Sequence, residues 1–340
     1  MTETTGGLTQ SMGALLDLST GGRLRLNRDL LTVLMPYLYC VALIIAIASL
    51  NSSVLIGPGA LDIRATALMP LALIGIGQTL AMFTGGIDLA VGGIMSTATA
   101  LLATHFSSSG ATLVAELAAV VAFGALGGAV SGAVIARTSL QPFIVTLSTW
   151  SIWGGIAILF LPQEGGTVSP ELTSWLTGSV GPVPKSVIAV GALVVLWLWF
   201  RWSRFVLDLK SIGSDVNRAR LAGVPVTRRR IETYLVSGTF AALAGIWLAG
   251  QQGGGSPVVG NDYILTSVAA VVIGGTSIFG GRGSVAATIA GALALQMIPD
   301  LIFTLNISSF WTGFVQGALL IVAVLISSLV LQSGRGRVDR

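Results

Sequence analysis

The acid best placed to do chemistry is Asp88, in the string Thr84-Gly85-Gly86-Ile87-Asp88-Leu89 between two apolar stretches. A threonine and two helix-breaking glycines precede it, so its carboxylate can cap the helix that follows, a contribution of about 1 kcal/mol. It can equally line a polar path, because an ionisable group at membrane depth is costly and asks for a reason. The residues alone leave both readings standing. Asp300 follows Pro299 inside another apolar stretch and is expected at a kink with a satisfied partner. Cys40 is the only cysteine and reads as a small packing residue; His105 is the only histidine, so no zinc-type cluster is expected. Neither Lys185 nor Lys210 follows a glycine-rich phosphate loop, and no Gly-x-Ser-x-Gly or His-Glu-x-x-His set is present. An intramembrane enzyme therefore lacks its catalytic groups, and no cofactor is implied.

Neutral polar side chains inside apolar stretches remain: Gln78, Thr79, Thr146, Ser148, Thr149, Trp150, Trp153, Thr233, Tyr234, Thr266, Ser267, Gln296 and Gln316, with Gln141 just before one stretch. Hydroxyls and amides mixed with aromatic rings suit an uncharged polyol, which wants hydrogen bonds at its edges and an apolar ring on its flat face. The plainer role for each is an interhelical hydrogen bond of about 0.6 kcal/mol. Gln78, Gly85, Gly86, Asp88, Gln141, Thr146, Thr149 and Trp150 are the candidate path residues.

These groups must be carried by helices in lipid. Hydrophobic residues make up 53% of the 340 and charged residues 9%, more apolar surface than a soluble domain can hide. Stretches long enough for a bilayer core of about 30 Å fall near Leu30–Leu50, Ala65–Thr84, Leu89–Phe106, Thr112–Ala136, Phe143–Leu161, Ser186–Phe200, Ile231–Ala249, Tyr263–Ile278, Ser284–Leu305 and Phe310–Leu331. Glycine pairs make the third and eighth the least regular. The expected fold is an all-α polytopic bundle of about ten transmembrane helices.

With both termini in the cytoplasm, 16 of the 18 Lys and Arg lie inside and only Arg64 and Lys185 outside, as the positive-inside rule requires. The basic balance thus follows topology and implies no nucleic-acid partner. Residues 1–29 form a polar cytoplasmic segment without a cleavable signal, 30–331 the membrane domain and 332–340 a tail. Within the domain, 162–184 is an extracytoplasmic loop with a short amphipathic turn at Glu171–Leu176, and 202–230 a basic cytosolic loop. In that loop Ser214 can cap two helical turns over Asp215–Ala222, closed by Gly223 and Pro225. Gly124, Gly127, Gly128 and Gly132 recur on one helix and read as a close-packing face. TGGIDLAVGGIMSTATALL and GGGSPVVGNDYILTSVAAVV share a glycine-rich turn, an acid and a small-residue helix, in stretches of opposite direction, as inverted repeats would be.

Four strings in order, TGGIDLAVG (84–92), QPFIVTL (141–147), IGSDVNRARLAGV (212–224) and AAVVIGGTSIFGGRG (269–283), resemble the ribose-type permease subunits of bacterial ABC sugar importers. The resemblance implies an inner-membrane permease that translocates a sugar or polyol by alternating access and forms a homodimer or a heterodimer with a paralogue. It also implies two ATP-binding domains of an ABC ATPase on the cytosolic face and a periplasmic or lipid-anchored sugar-binding protein on the other. Gly213, Asp215, Asn217, Arg218, Arg220, Leu221, Ala222 and Gly223 would then belong to the coupling element that docks on the ATPase. Many members carry an acidic pair where this chain has Ile264 and Thr266. The rival reading is a stand-alone facilitator or channel, in which the basic loop is inert.

Overall fold

The computed structural model describes residues 28–57, 59–105, 109–308, 310–318 and 321. In chain order the elements are α1 (Arg28–Ile56), α2 (Ala60–Phe83), α3 (Ala90–Thr104), α4 (Gly110–Arg137), α5 (Pro142–Phe160), α6 (Pro170–Leu176), the hairpin β1 (Ser179–Val180) and β2 (Val183–Pro184), α7 (Lys185–Phe200), α8 (Arg204–Ser214), α9 (Val216–Leu221), α10 (Val226–Gln252), α11 (Gly260–Ile273) and α12 (Val285–Thr304). Residues 311–318 are helical as well. The rest of the tenth apolar stretch, nearly all of the 1–29 segment and the 332–340 tail lie outside the described residues.

Among the described residues six helices, α1, α2, α4, α5, α10 and α12, are long and apolar enough to cross a membrane, and α7 runs into α8 through a 75° bend. The chain is an all-α membrane protein. The stretches with glycine pairs became the short helices: α3 has 15 residues and α11 has 14, about 22 Å each. Each follows a long helix across a glycine break, α2 to α3 through residues 84–89 and α10 to α11 through residues 253–259. The breaks turn on Gly85 (φ +80°) and Gly253 (φ +68°), backbone conformations that favour glycine.

Buried along almost its whole length, α2 forms the centre of the bundle, packed by α10, α11, α12 and α7. Its neighbour α10 packs on α4 through the small-residue face that the glycine spacing predicts. A Cβ on Gly128 would overlap the Tyr234 carbonyl, and one on Gly124 would press on Ala242 and the Gly238 carbonyl. In lipid this close approach supplies the dispersion contact that holds the pair, since tails are as apolar as the side chains. Cys40 is buried, donates its thiol to the Ala290 carbonyl at 2.9 Å and helps seat α1 on α12.

Arg137, Arg201, Arg204, Lys210, Arg218, Arg220, Arg228, Arg229, Arg230 and Arg282 all lie at the end of the bundle where α2, α7 and α11 finish and α10 and α12 start. At the opposite end Arg64 Nε reaches Asp300 Oδ2 at 2.9 Å, which gives the acid beside Pro299 its partner on α2. Both side chains are largely shielded, so removing Arg64 strands the Asp300 carboxylate. Arg64→Met is expected to cost about 2 kcal/mol, and adding Asp300→Leu to recover most of it; thermal unfolding in detergent measures both.

The segment read as a basic loop is mostly helix. The eleven-residue α8 buries Val206, Leu209 and Ile212 on one face, and Arg204, Asp208 and Lys210 among them hide that face from a membrane-length hydropathy window. Arg228, Arg229 and Arg230 stand on the first turn of α10. Arg229 bonds Asp208 and Glu232, each at 2.7 Å, and so ties α8 to α10. The amphipathic turn expected at Glu171–Leu176 is the helix α6, which lays Leu172 and Leu176 against Gly250.

Candidate functional site

The break between α2 and α3 is where buried polar groups gather. Asp88 is buried, and its Oδ1 accepts the Ala90 N–H at 3.0 Å, so it caps the start of α3 as its position predicts. Its other oxygen has no hydrogen-bond partner among the described residues. Across from it on α10, Ser237 Oγ stands beside the carboxylate, close enough to bear on it but making no regular hydrogen bond. The Tyr234 hydroxyl, equally unpartnered, occupies the space that a side chain on Gly86 would fill. Both residues are fully buried. A buried polar oxygen left unpaired costs about 1–3 kcal/mol, so three such oxygens at one break form a set that a ligand or water would satisfy. Gln78, one helical turn and a half earlier on α2, is fully buried and leaves both amide atoms unpaired as well.

Other predicted path residues are engaged elsewhere. Thr146 Oγ1 bonds the Ile87 carbonyl at 3.1 Å and ties α5 to the break. Thr149 accepts from Ser131 Oγ at 3.0 Å and joins α5 to α4. Trp150 Nε1 donates to Asn261 Oδ1 at 3.1 Å, joining α5 to α11. Gln141 is exposed at the N-cap of α5. Thr79 bridges to Thr288 on α12 at 2.8 Å. These are the interhelical bonds of the plainer reading. Ser237 was not singled out from sequence: beside Gly238 it passes for one more small residue on a packing face, and only its spacing of three from Tyr234 marks it.

The second site lies at the basic end. Asp215 accepts the backbone N–H groups of Asn217 and Arg218 at 2.9 and 3.0 Å and is the cap of α9. Ser214, expected in that role, instead bonds the Lys210 carbonyl at the end of α8. The Arg218 N–H, with that of Asn217 and the Arg218 guanidinium, holds the Asp215 carboxyl below the usual carboxylate range. The cap is therefore intact above that range and weakens only as pH falls through the lowered value. Asn217, Arg218, Arg220, Ala222 and Gly223 are exposed, and Leu221 projects with 90% of its surface in solvent. Ala219 faces the other way and packs on Ile212 and Val226.

Gly213 differs from the rest of that group. It is wedged inward, where a Cβ would overlap the Phe83 carbonyl and crowd Gly280 and Gly281. Gly281 N–H donates to that same Phe83 carbonyl at 3.1 Å. Lys210 donates to the Gly283 carbonyl at 2.9 Å, with its ammonium 4.8 Å from the Phe83 ring centre. The exposed helix α9 is thus joined through Gly213 to the last residue of α2, directly before the break that carries Asp88.

No cluster of three or more His, Cys, Asp or Glu side chains that could hold a metal occurs among the described residues. A helical membrane protein with unpaired hydroxyl, amide and carboxylate atoms at its buried centre, and a projecting helix linked to them, is built as a solute permease. The profile of a family described as branched-chain amino acid transport system / permease component matches residues 61–324. The chain is 34% identical over 273 residues to the fructose import permease protein of Rhizobium meliloti, covering 76% of this chain and 74% of that one. It is 32% identical over 299 residues to the ribose import permease protein of Bacillus subtilis, covering 86% and 91%. The D-allose transport system permease protein of Escherichia coli is 30% identical over 263 residues, covering 76% and 80%. No solved structure matches the chain. The chain belongs to this permease family, is of the ribose type within the ABC importers, and resides in the inner membrane.

Proposed function

We propose that the chain moves a sugar or related polyol inward by alternating access, driven by ABC ATPase subunits that dock on α9 and fed by a sugar-binding protein on the opposite face. The link from α9 through Gly213 to the Asp88 break carries this reading. Relatives named for fructose, ribose and allose favour a neutral cargo. So does the buried polar set, which among the described residues holds amide and hydroxyl groups and one carboxylate but no cation. An amino-acid cargo, as the family description would allow, needs a partner for its own carboxylate.

A neutral solute gains nothing from membrane potential, and a thousandfold gradient costs about 4 kcal/mol. External work is needed. Closure of two ATPases would draw the α9 elements of a homodimer or heterodimer together, shift Phe83 and open the path outward; hydrolysis would reverse it, as between two packed states. Ten crossings with both termini in the cytosol fit the gathering of cationic residues at the α9 end. Inverted repeats fit the two breaks, which face opposite ends and whose short helices touch where Gly260 meets the Gly92 carbonyl.

Arg218→Glu with Arg220→Glu tests the docking. Both side chains are exposed, so insertion and melting temperature are expected to stay unchanged while uptake and cargo-stimulated ATP hydrolysis are lost. Normal uptake by the double variant defeats the proposal. Sugar flux through the chain reconstituted alone would point to a facilitator.

A further inference from the structure

A cavity of 470 Å³ opens between α7 and α10 with α2 as its floor. Ile76, Leu80, Trp197, Phe200, Leu235 and Phe240 line it, and none can hydrogen-bond along its length except the Trp197 indole. From Phe200 back to Leu193 it runs about 10 Å into the bilayer, within one leaflet of a core about 30 Å thick. Its α7 wall continues onto Val195, Leu198 and Trp199, which are exposed.

The mouth carries a definite charge. Glu232 lies at the cavity wall but is bonded by Arg228 at 2.6 Å and Arg229 at 2.7 Å, and Arg229 also takes Asp208. That group is paired off within itself. Arg201 follows the lining residue Phe200, and Arg204 precedes Phe205, which also lines the cavity. Both arginines are exposed and have no carboxylate partner among the described residues. Aromatic rings brace the rim: Phe200 and Phe205 lie 6.1 Å apart, and the Arg201 guanidinium is 5.3 Å from the Trp202 ring. An apolar slot about 10 Å deep, with two arginines that pair with no carboxylate each next in the chain to one of its lining aromatics, matches one amphiphile, an acyl chain below a phosphate-bearing headgroup.

We propose that this slot binds an anionic phospholipid of the inner leaflet, one chain between α7 and α10 and its headgroup at Arg201 and Arg204. The assignment to the inner leaflet rests on the orientation proposed above; the slot and its charge do not. The lipid sits under the 75° elbow from which α8 and α9 hang, a position where its presence bears on the coupling element.

Trp197 is the natural reporter. The full chain is reconstituted into phosphatidylcholine vesicles with increasing brominated phosphatidylglycerol or brominated phosphatidylcholine, and the Trp197 signal is taken as wild type minus Trp197→Phe. Lipid is present in both leaflets, so the result does not depend on transport or on orientation. Quenching of Trp197 is expected to saturate at about tenfold lower mole fraction for the anionic lipid, and Arg201→Gln with Arg204→Gln to abolish that preference with helicity unchanged. Equal quenching by both lipids overturns the headgroup site. No quenching of Trp197 by either overturns lipid occupancy, and leaves the slot covered by a second copy or by this chain's own terminal segments.

Discussion

Gly213→Val is expected to disconnect ATP hydrolysis from uptake while leaving the bundle folded. A Cβ at this position overlaps the Phe83 carbonyl and crowds Gly280 and the Gly281 N–H, and a branched side chain cannot be accommodated by rotamer choice. Backbone must part, and the bond from Gly281 to Phe83 is the contact that gives way. Overpacking of this kind costs about 1–3 kcal/mol, affordable for a contact at the edge of the bundle. The same energy applied to one of two alternating states matters far more: about 2 kcal/mol against the competent arrangement lowers its population about thirtyfold. Uptake should fall by that order, with the partner's basal ATPase retained and its response to cargo lost. Lys210→Met, which loses one hydrogen bond and the ring contact but adds no bulk, is expected to show a milder form of the same defect. Uptake at the normal rate in Gly213→Val removes the link between α9 and the break.

That link illustrates what a chain can and cannot disclose. Helix positions were legible because lipid imposes a single strong rule, a long apolar run, and each of the first nine stretches begins and ends within six residues of its expectation. Of the glycine pairs expected to break the third and eighth stretches, Gly274-Gly275 ends α11 but Gly92-Gly93 lies inside an unbroken α3, and the breaks ahead of the two short helices turn on Gly85 and Gly253 instead. That α4 carries a close-packing face followed from glycine spacing, whereas its partner α10 is known only from the fold. By contrast α8 was hidden, because its apolar residues recur every three positions among charges, a pattern that a span-length average erases. The cap of α9 went to Asp215 in place of Ser214 because two backbone N–H groups converge on the carboxylate, a choice set by a one-residue shift in where the helix begins. Within the site, residue type offered Thr146, Thr149 and Asp88 as path candidates but could not say which would be engaged by neighbours. Interhelical partners decided that: Ser131 and the Ile87 carbonyl occupy the threonines, while Asp88 Oδ2, Tyr234 and Ser237 were left unpaired.

The unpaired oxygens separate a structural role from a transport role by the sign of their effects. Asp88→Asn keeps an acceptor for the Ala90 N–H, so a residue that only caps α3 predicts uptake like the wild type. If the second oxygen meets a cargo hydroxyl, loss of its charge removes a charge-assisted hydrogen bond of about 1.5–3 kcal/mol, and uptake should fall about tenfold or more at an unchanged melting temperature. Tyr234→Phe and Ser237→Ala extend the test, because each deletes a buried hydroxyl that makes no bond in this state. Removing an unsatisfied polar group is neutral or stabilising by up to about 1 kcal/mol. The expected outcome is therefore a pair of variants as stable as the parent, or more so, that transport several-fold more slowly. Stability and uptake falling together would make these hydroxyls part of the scaffold, and unaltered uptake in all three would move the path away from the break.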